Sequence, residues 1–144
     1  MIKINSQEDL DTLLVLPNWE EAFLREWYLL SPGYINPYNQ EIIASDSAPM
    51  MLMLICTSDF TCPCIELFFE EVEEIYLSCR NDLNPVASFQ NERISFSFHG
   101  DEAPDIQSKF LYYRILEKDY WGWKVRYGKK NVFDSSGFLI SENL

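Results

Sequence analysis

The hydrophobic positions of this chain follow two rhythms, one of three to four residues and one of two. Leu10, Leu13 and Leu14 recur at helical spacing behind Ser6-Gln-Glu-Asp9. That tetrapeptide has the form of a capping box, with Asp9 where Glu or Gln is usual. A short helix is expected over about 7–14, ended by Pro17. Asn18-Trp-Glu-Glu21 reads as a second start signal. Asn18 can cap, and Glu20 and Glu21 fall in the first turn, where the helix dipole favours anions. Trp19, Phe23, Trp27 and Leu30 follow at helical spacing with Leu24 beside them. The spacing predicts a helix over 19–30 that stops at Ser31-Pro-Gly33 and buries those four side chains.

The rhythm of two takes over further along. Met50 to Cys56 is an unbroken apolar run of strand length, read as a strand buried on both faces, with its methionines as core filler. Arg93 to Phe98 alternates, placing Ile94, Phe96 and Phe98 inward and Ser95 and Ser97 outward. Phe110 to Leu116 reads as a strand, although a short helix also fits. Trp121 to Tyr127 alternates too, with Trp121, Trp123, Val125 and Tyr127 on one face and Lys124 and Arg126 on the other. Short strands are expected at 41–44 and 138–140. Proline, glycine, asparagine and aspartate mark loops at 31–49, 81–85, 100–105 and 134–137.

Both rhythms fit Cys64 to Cys79. As a helix, Ile65, Phe68, Phe69, Val72, Ile75, Tyr76 and Cys79 form one stripe. As strands, Ile65, Leu67 and Phe69 share a face, and Ile75 and Leu77 resume after a break at Glu70-Glu71-Val72. The β-branched and aromatic content favours two strands joined by a tight turn or bulge. The fold class that follows is α+β in a single domain over 1–144, with N-terminal helices packed on a mostly antiparallel, twisted β-sheet.

Composition narrows the function. The net charge is −12, and residues 1–108 carry 19 acidic and 4 basic side chains against 4 and 7 in residues 109–144. Such a field repels nucleic-acid phosphates and anionic membrane surfaces, so neither is an expected partner. The start is polar, and no apolar run is long enough for a signal peptide or a membrane span. A cytoplasmic location with reduced cysteines is expected.

The residues of potential chemistry are few. His99 is the single histidine, and no nucleophile motif accompanies it. Cys56, Cys62, Cys64, Cys79 and His99 are zinc-ligand types, but Cys62-Pro-Cys64 lacks the usual spacing. If a strand begins at 62, Cys62 and Cys64 point to the same side. The glutamates of 66–74 sit too close in sequence to face each other across a cleft as a glycosidase pair does. No catalytic residue, metal or cofactor is therefore assigned. Glu70, Glu71, Glu73 and Glu74, with Tyr34 and Tyr38 of the 31–49 loop, are the candidate partner-binding residues.

In size, acidity, aromatic richness and lack of catalytic motifs, the chain resembles the immunity proteins of bacterial toxin–immunity systems. Ile65 to Leu77 is also similar to a strand–turn–strand pattern of small bacterial domains, with Glu71 where that pattern has glycine. The resemblance implies a non-enzymatic inhibitor of a basic toxin. Two other readings stand beside it. One is a small-molecule-binding or enzymatic domain, with a pocket between helices and sheet lined by Trp19, Trp27, Trp121 or Trp123. The other is a subunit of a homo-oligomer.

Overall fold

The computed structural model describes all of the chain except residues 32, 44–47, 77–82, 101–103, 122–125, 128–131, 134–138 and 141–144, with backbone alone at 34, 43, 132, 133, 139 and 140. In chain order the elements are β1 (Ile2–Lys3), α1 (Gln7–Val15), β2 (Ala22–Leu30), β3 (Tyr34–Ile35), β4 (Ile42–Ile43), β5 (Met50–Thr57), β6 (Cys64–Ile75), β7 (Val86–Gln90), β8 (Arg93–Ser97), β9 (Ile106–Leu116), β10 (Val132–Phe133) and β11 (Leu139–Ile140). Seven strands form one sheet in the order β2-β5-β6-β9-β8-β7, with β1 also paired to β9, and every strand pairing is antiparallel. The pairs β3–β4 and β10–β11 form two small separate sheets. The fold is thus sheet-dominated, with one α-helix among the described residues.

That helix forms where its cap places it. The Ser6 side chain accepts a hydrogen bond from the Asp9 amide at 3.2 Å, and an Asp9 oxygen accepts from the Asn5 amide at 2.9 Å. Leu10 and Leu13 are buried against the sheet's inner face. The Gln7 side chain donates to the Ala87 carbonyl and accepts from the Phe89 amide. It thereby covers the free edge of β7, which would otherwise offer unpaired backbone groups.

The helix expected over 19–30 is absent. Asn18 starts only a 3-10 turn at Trp19–Glu21, and the chain then enters β2. A bulge at Arg25 shifts the register between Leu24 and Glu26. Leu24 and Trp27 consequently both fall on the inner face, three residues apart, so the sequence imitates a helical interval. Trp19 is buried, but Trp27 is 51% exposed and Phe23 is exposed as well.

Residues 64–75 are neither helix nor hairpin but one continuous strand in the centre of the sheet, and 77–79 lie outside the described residues. The break expected at 70–72 exists as an irregularity within it. Glu71 takes φ +51°, and the register against β9 shifts between Val72 and Glu74. Phe69, Val72 and Ile75 reach the inner cluster at intervals of three, and this imitates a helix. The left-handed conformation at Glu71 is the one glycine adopts at little cost, as in the pattern that the segment resembles.

β5 is buried on both faces, as its apolar run requires. Met51, Met53 and Ile55 face the inner core with Leu10, Leu13, Trp19, Leu67, Phe69 and Phe96. Leu54, Cys56 and Cys64 face outward beneath Leu116, Tyr120, Trp121 and Tyr127. β8 buries Ile94 and Phe96, with Phe98 beyond its end, and also Ser97, which was expected outside. Of the strand expected over 121–127, residues 122–125 lie outside the described residues, and Arg126 and Tyr127 form bends.

Candidate functional site

Register fixes what lies at each end of the sheet. Leu30 pairs with Met50, Met51 with Phe69, and Ile75 with Ile106. One end therefore gathers the C-terminus of β2, the β3–β4 hairpin, the start of β5 and the second half of β6. The candidate glutamates and tyrosines, distant in sequence, share that end.

β6 outruns β5 there, and its irregularity turns consecutive glutamates away from the core. Glu71, Glu73 and Glu74 are exposed and Glu70 is half-buried. Lys109 lies opposite Glu71 at 3.7 Å, and Arg93 pairs with Glu73. Both pairs are solvated, so each contributes no more than about 1 kcal/mol to folding. Glu70 stands near Tyr112, whose phenol is held above its ordinary pKa, first by burial and then by that carboxylate.

The turn between β7 and β8 adds a carboxylate that the sequence reading did not include. Asn91 and Glu92 take φ +52° and +59°, the pattern of a two-residue type I′ turn. Glu92, with Glu71, Glu73, Asn91, Arg93 and Lys109, lines an open polar cavity of about 320 Å³. An Asn between two strand patterns is the signal that would have placed this turn.

The β3–β4 hairpin supplies apolar contact area. Ile35 pairs with Ile42 across it, and they are 60% and 73% exposed. Tyr38 at the tip is 67% exposed; the side chain of Tyr34 is outside the described set. The tip is held by its own hydrogen bonds. Asn36 is buried, its side chain accepts from the Tyr38 amide at 2.9 Å, and the Asn39 side chain accepts from the Glu41 amide at 2.9 Å. These are Asx turns, which fix a loop without core packing.

The opposite end of the outer face carries a second polar cluster, also missed from sequence. Glu66, fully buried on β6, accepts from Arg114 Nε at 2.7 Å, Arg126 Nη2 at 3.3 Å and the Tyr127 hydroxyl at 2.8 Å, and pairs with Arg126 Nε. Arg126 Nη1 donates to the Tyr120 hydroxyl at 2.7 Å. Glu26 of β2 accepts from the backbone amides of Arg126 and Tyr127. Burial and the adjacent Glu66 carboxylate hold the Tyr127 phenol protonated far above its ordinary range. The Glu66 hydrogen bond and charge outweigh desolvation at Arg126 and raise its pKa further. The carboxylate is saturated with donors, so it acts as a clamp between β6 and Arg126–Tyr127 rather than as a base.

Beside this clamp, Cys56 and Cys64 are register partners with their sulfurs 3.3 Å apart. Cys56, Cys62 and Cys64 are unbridged. Burial pushes the Cys62 thiol up to about 11 and the Cys64 thiol up to about 12, which keeps both protonated and poorly nucleophilic at neutral pH. Cys62 joins the inner cluster and Cys64 the outer one, because β6 begins only at Cys64; they do not share a side. Cys79 lies outside the described residues. His99 lies beyond the end of β8, bridged to Asn84 and half-buried. Among the described residues no three His, Cys, Asp or Glu side chains converge as a metal site.

The tryptophans expected to line one pocket do not converge. Trp19 is in the inner core with its indole donating to the Leu14 carbonyl at 2.9 Å. Trp121 packs on the outer face against Phe60, Trp27 stands at the β2 edge, and Trp123 is outside the described residues. No helix among the described residues is long and apolar enough to cross a membrane. No family model matches the chain, and no match is found among curated proteins or solved structures.

Proposed function

We propose that this chain is a non-enzymatic binding protein of the immunity type, which docks on a basic cognate toxin in the cytoplasm and blocks it. The observation that carries the reading is the cluster of exposed carboxylates Glu71, Glu73, Glu74 and Glu92 on and beside β6, together with a hairpin that joins β2 to β5 and exposes Ile35, Tyr38 and Ile42. Carboxylates held in solvent steer a cationic partner and set its orientation. An aromatic and two aliphatic side chains supply the area that is desolvated on contact. The acidic excess of residues 1–108 extends the same field over the molecule. Inhibition would be steric and electrostatic, requiring no reaction by this chain.

The test is coexpression with the protein encoded immediately upstream. The upstream product alone should arrest growth, and this chain should restore it. Substituting Glu70, Glu71, Glu73 and Glu74 together by Gln should weaken the rescue, and Tyr38→Ala should weaken it independently. An upstream product that is harmless, or rescue indifferent to all five positions, would refute the reading.

A further inference from the structure

We infer that the outer edge of β2 is a self-association surface, where a second copy of this chain adds its own β2 antiparallel to the first about a twofold axis. The two edges of the main sheet are treated differently. The β7 edge is covered by the Gln7 side chain, bonded to Ala87 and Phe89. From Glu26 to Leu30, no described strand pairs with the edge turned away from β5, while the Glu26 side chain accepts from the Arg126 and Tyr127 amides. Natural edge strands are usually blunted by lysine, proline, shortness or a bulge. β2 is nine residues long, has no lysine or proline, and confines its one bulge to Arg25. Beyond the bulge it runs Glu26-Trp27-Tyr28-Leu29-Leu30, with Trp27 and Leu29 about half exposed on one face.

The occupant follows from self-complementarity. Directly opposed residues of an antiparallel pair share a face, so two identical strands pair around one central residue. Centring on Tyr28 sets Trp27 against Leu29 of the partner subunit and Leu29 against Trp27 of the partner subunit, all on the inner face. Tyr28 meets Tyr28 of the partner subunit on the outer face. An aromatic–aliphatic cross-strand pair is of the kind that stabilises sheets, and the symmetry makes two of them. Charge permits this copy as neighbour despite the net −12 of each chain. β2 carries one Arg and one Glu, and antiparallel pairing sends the two glutamate-bearing sheet ends in opposite directions. Both docking ends would remain open in the dimer.

Sedimentation velocity over a wide concentration range tests this, together with oxidative crosslinking of Tyr28→Cys. Cβ atoms of directly opposed residues lie within about 4.5–5.5 Å, close enough for a disulfide after small adjustment. Tyr28→Cys should give a covalent dimer, while the wild type and Val15→Cys, exposed on α1, should not. Leu29→Lys should raise the dimer's dissociation constant by about tenfold or more while leaving thermal unfolding unchanged at concentrations where both proteins are monomeric. A wild type that stays monomeric at its highest concentration overturns the proposal. So does a dimer undiminished in Leu29→Lys, or Tyr28→Cys crosslinking no better than Val15→Cys.

Discussion

Replacing Glu66 by Gln should be among the most damaging single changes available on the outer face. The carboxylate is fully buried, and its oxygens face Arg114, Arg126 and Tyr127. Glutamine keeps the shape but removes the charge and turns an NH2 group toward existing donors. Arg114 is one-third exposed and can recover water, whereas the Arg126 side chain is only 11% exposed and cannot. Leaving one buried charge without its partner costs about 3–5 kcal/mol, and Arg126 places Glu66→Gln in that range. Arg114→Met should cost less, about 1–2 kcal/mol, since that pair is partly screened. Tyr127→Phe loses one hydrogen bond to a charged acceptor, about 1.5–3 kcal/mol. Urea unfolding followed by tryptophan fluorescence measures all three. If Glu66→Gln leaves too little folded protein, the milder pair still ranks the contacts. The double variant Glu66→Leu/Arg126→Met should cost less than the sum of its singles, because the second change removes the charge stranded by the first. Glu66→Gln within about 1 kcal/mol of wild type, or strictly additive singles, would refute the clamp.

Four further outcomes are expected. Trp19→Ala should cost about 3–5 kcal/mol, because Trp19 is buried and bonded to Leu14, whereas Trp27→Ala should cost under about 1 kcal/mol; equal losses would contradict the β2 assignment. Glu92→Gly should raise stability by about 0.5–1 kcal/mol, since glycine suits the second position of a type I′ turn, and a clear loss in urea midpoint would count against that turn. Stability should be full below about pH 9, where unfolded thiols begin to ionise, and fall as pH rises toward the folded values of about 11 at Cys62 and about 12 at Cys64. In that window the unfolded chain holds fewer protons than the folded one, so each thiol contributes a loss of about 1.4 kcal/mol per pH unit, and a flat profile from pH 9 to 11 would contradict their burial. Ser6→Ala should cost about 1 kcal/mol through loss of the α1 cap, measured by the same unfolding curves.

What could be read from the sequence divides by the range of the interactions responsible. Ser6, Leu10 and Leu13 marked α1 because capping and helix periodicity are local. The apolar run of β5 and the alternation of β8 were legible for the same reason. β2 read as a helix, and β6 stayed open between helix and strands, because bulges interrupt the period of two. Leu24 and Trp27, and then Phe69, Val72 and Ile75, stand three apart while remaining in strands. The glutamates at 70–74 were visible as a charge cluster, but only sheet register joins them to the 34–43 hairpin and to Glu92. The Glu66 clamp was out of reach, since its arginines lie 48 and 60 residues further along the chain. Nothing local distinguishes Glu66 from the solvated glutamates after it.

If the carboxylates of β6 steer a basic partner as proposed, the association rate reports it most directly. Stopped-flow binding of the upstream-encoded protein should be recorded at low and high salt, for wild type and for the variant with Glu70, Glu71, Glu73 and Glu74 all changed to Gln. The variant should fold normally but associate more than about tenfold more slowly at low salt. The gap should shrink at physiological ionic strength and above, where the Debye length falls to about 8 Å or less. Equal rates for the two proteins at low salt, or a partner that proves acidic, would contradict it.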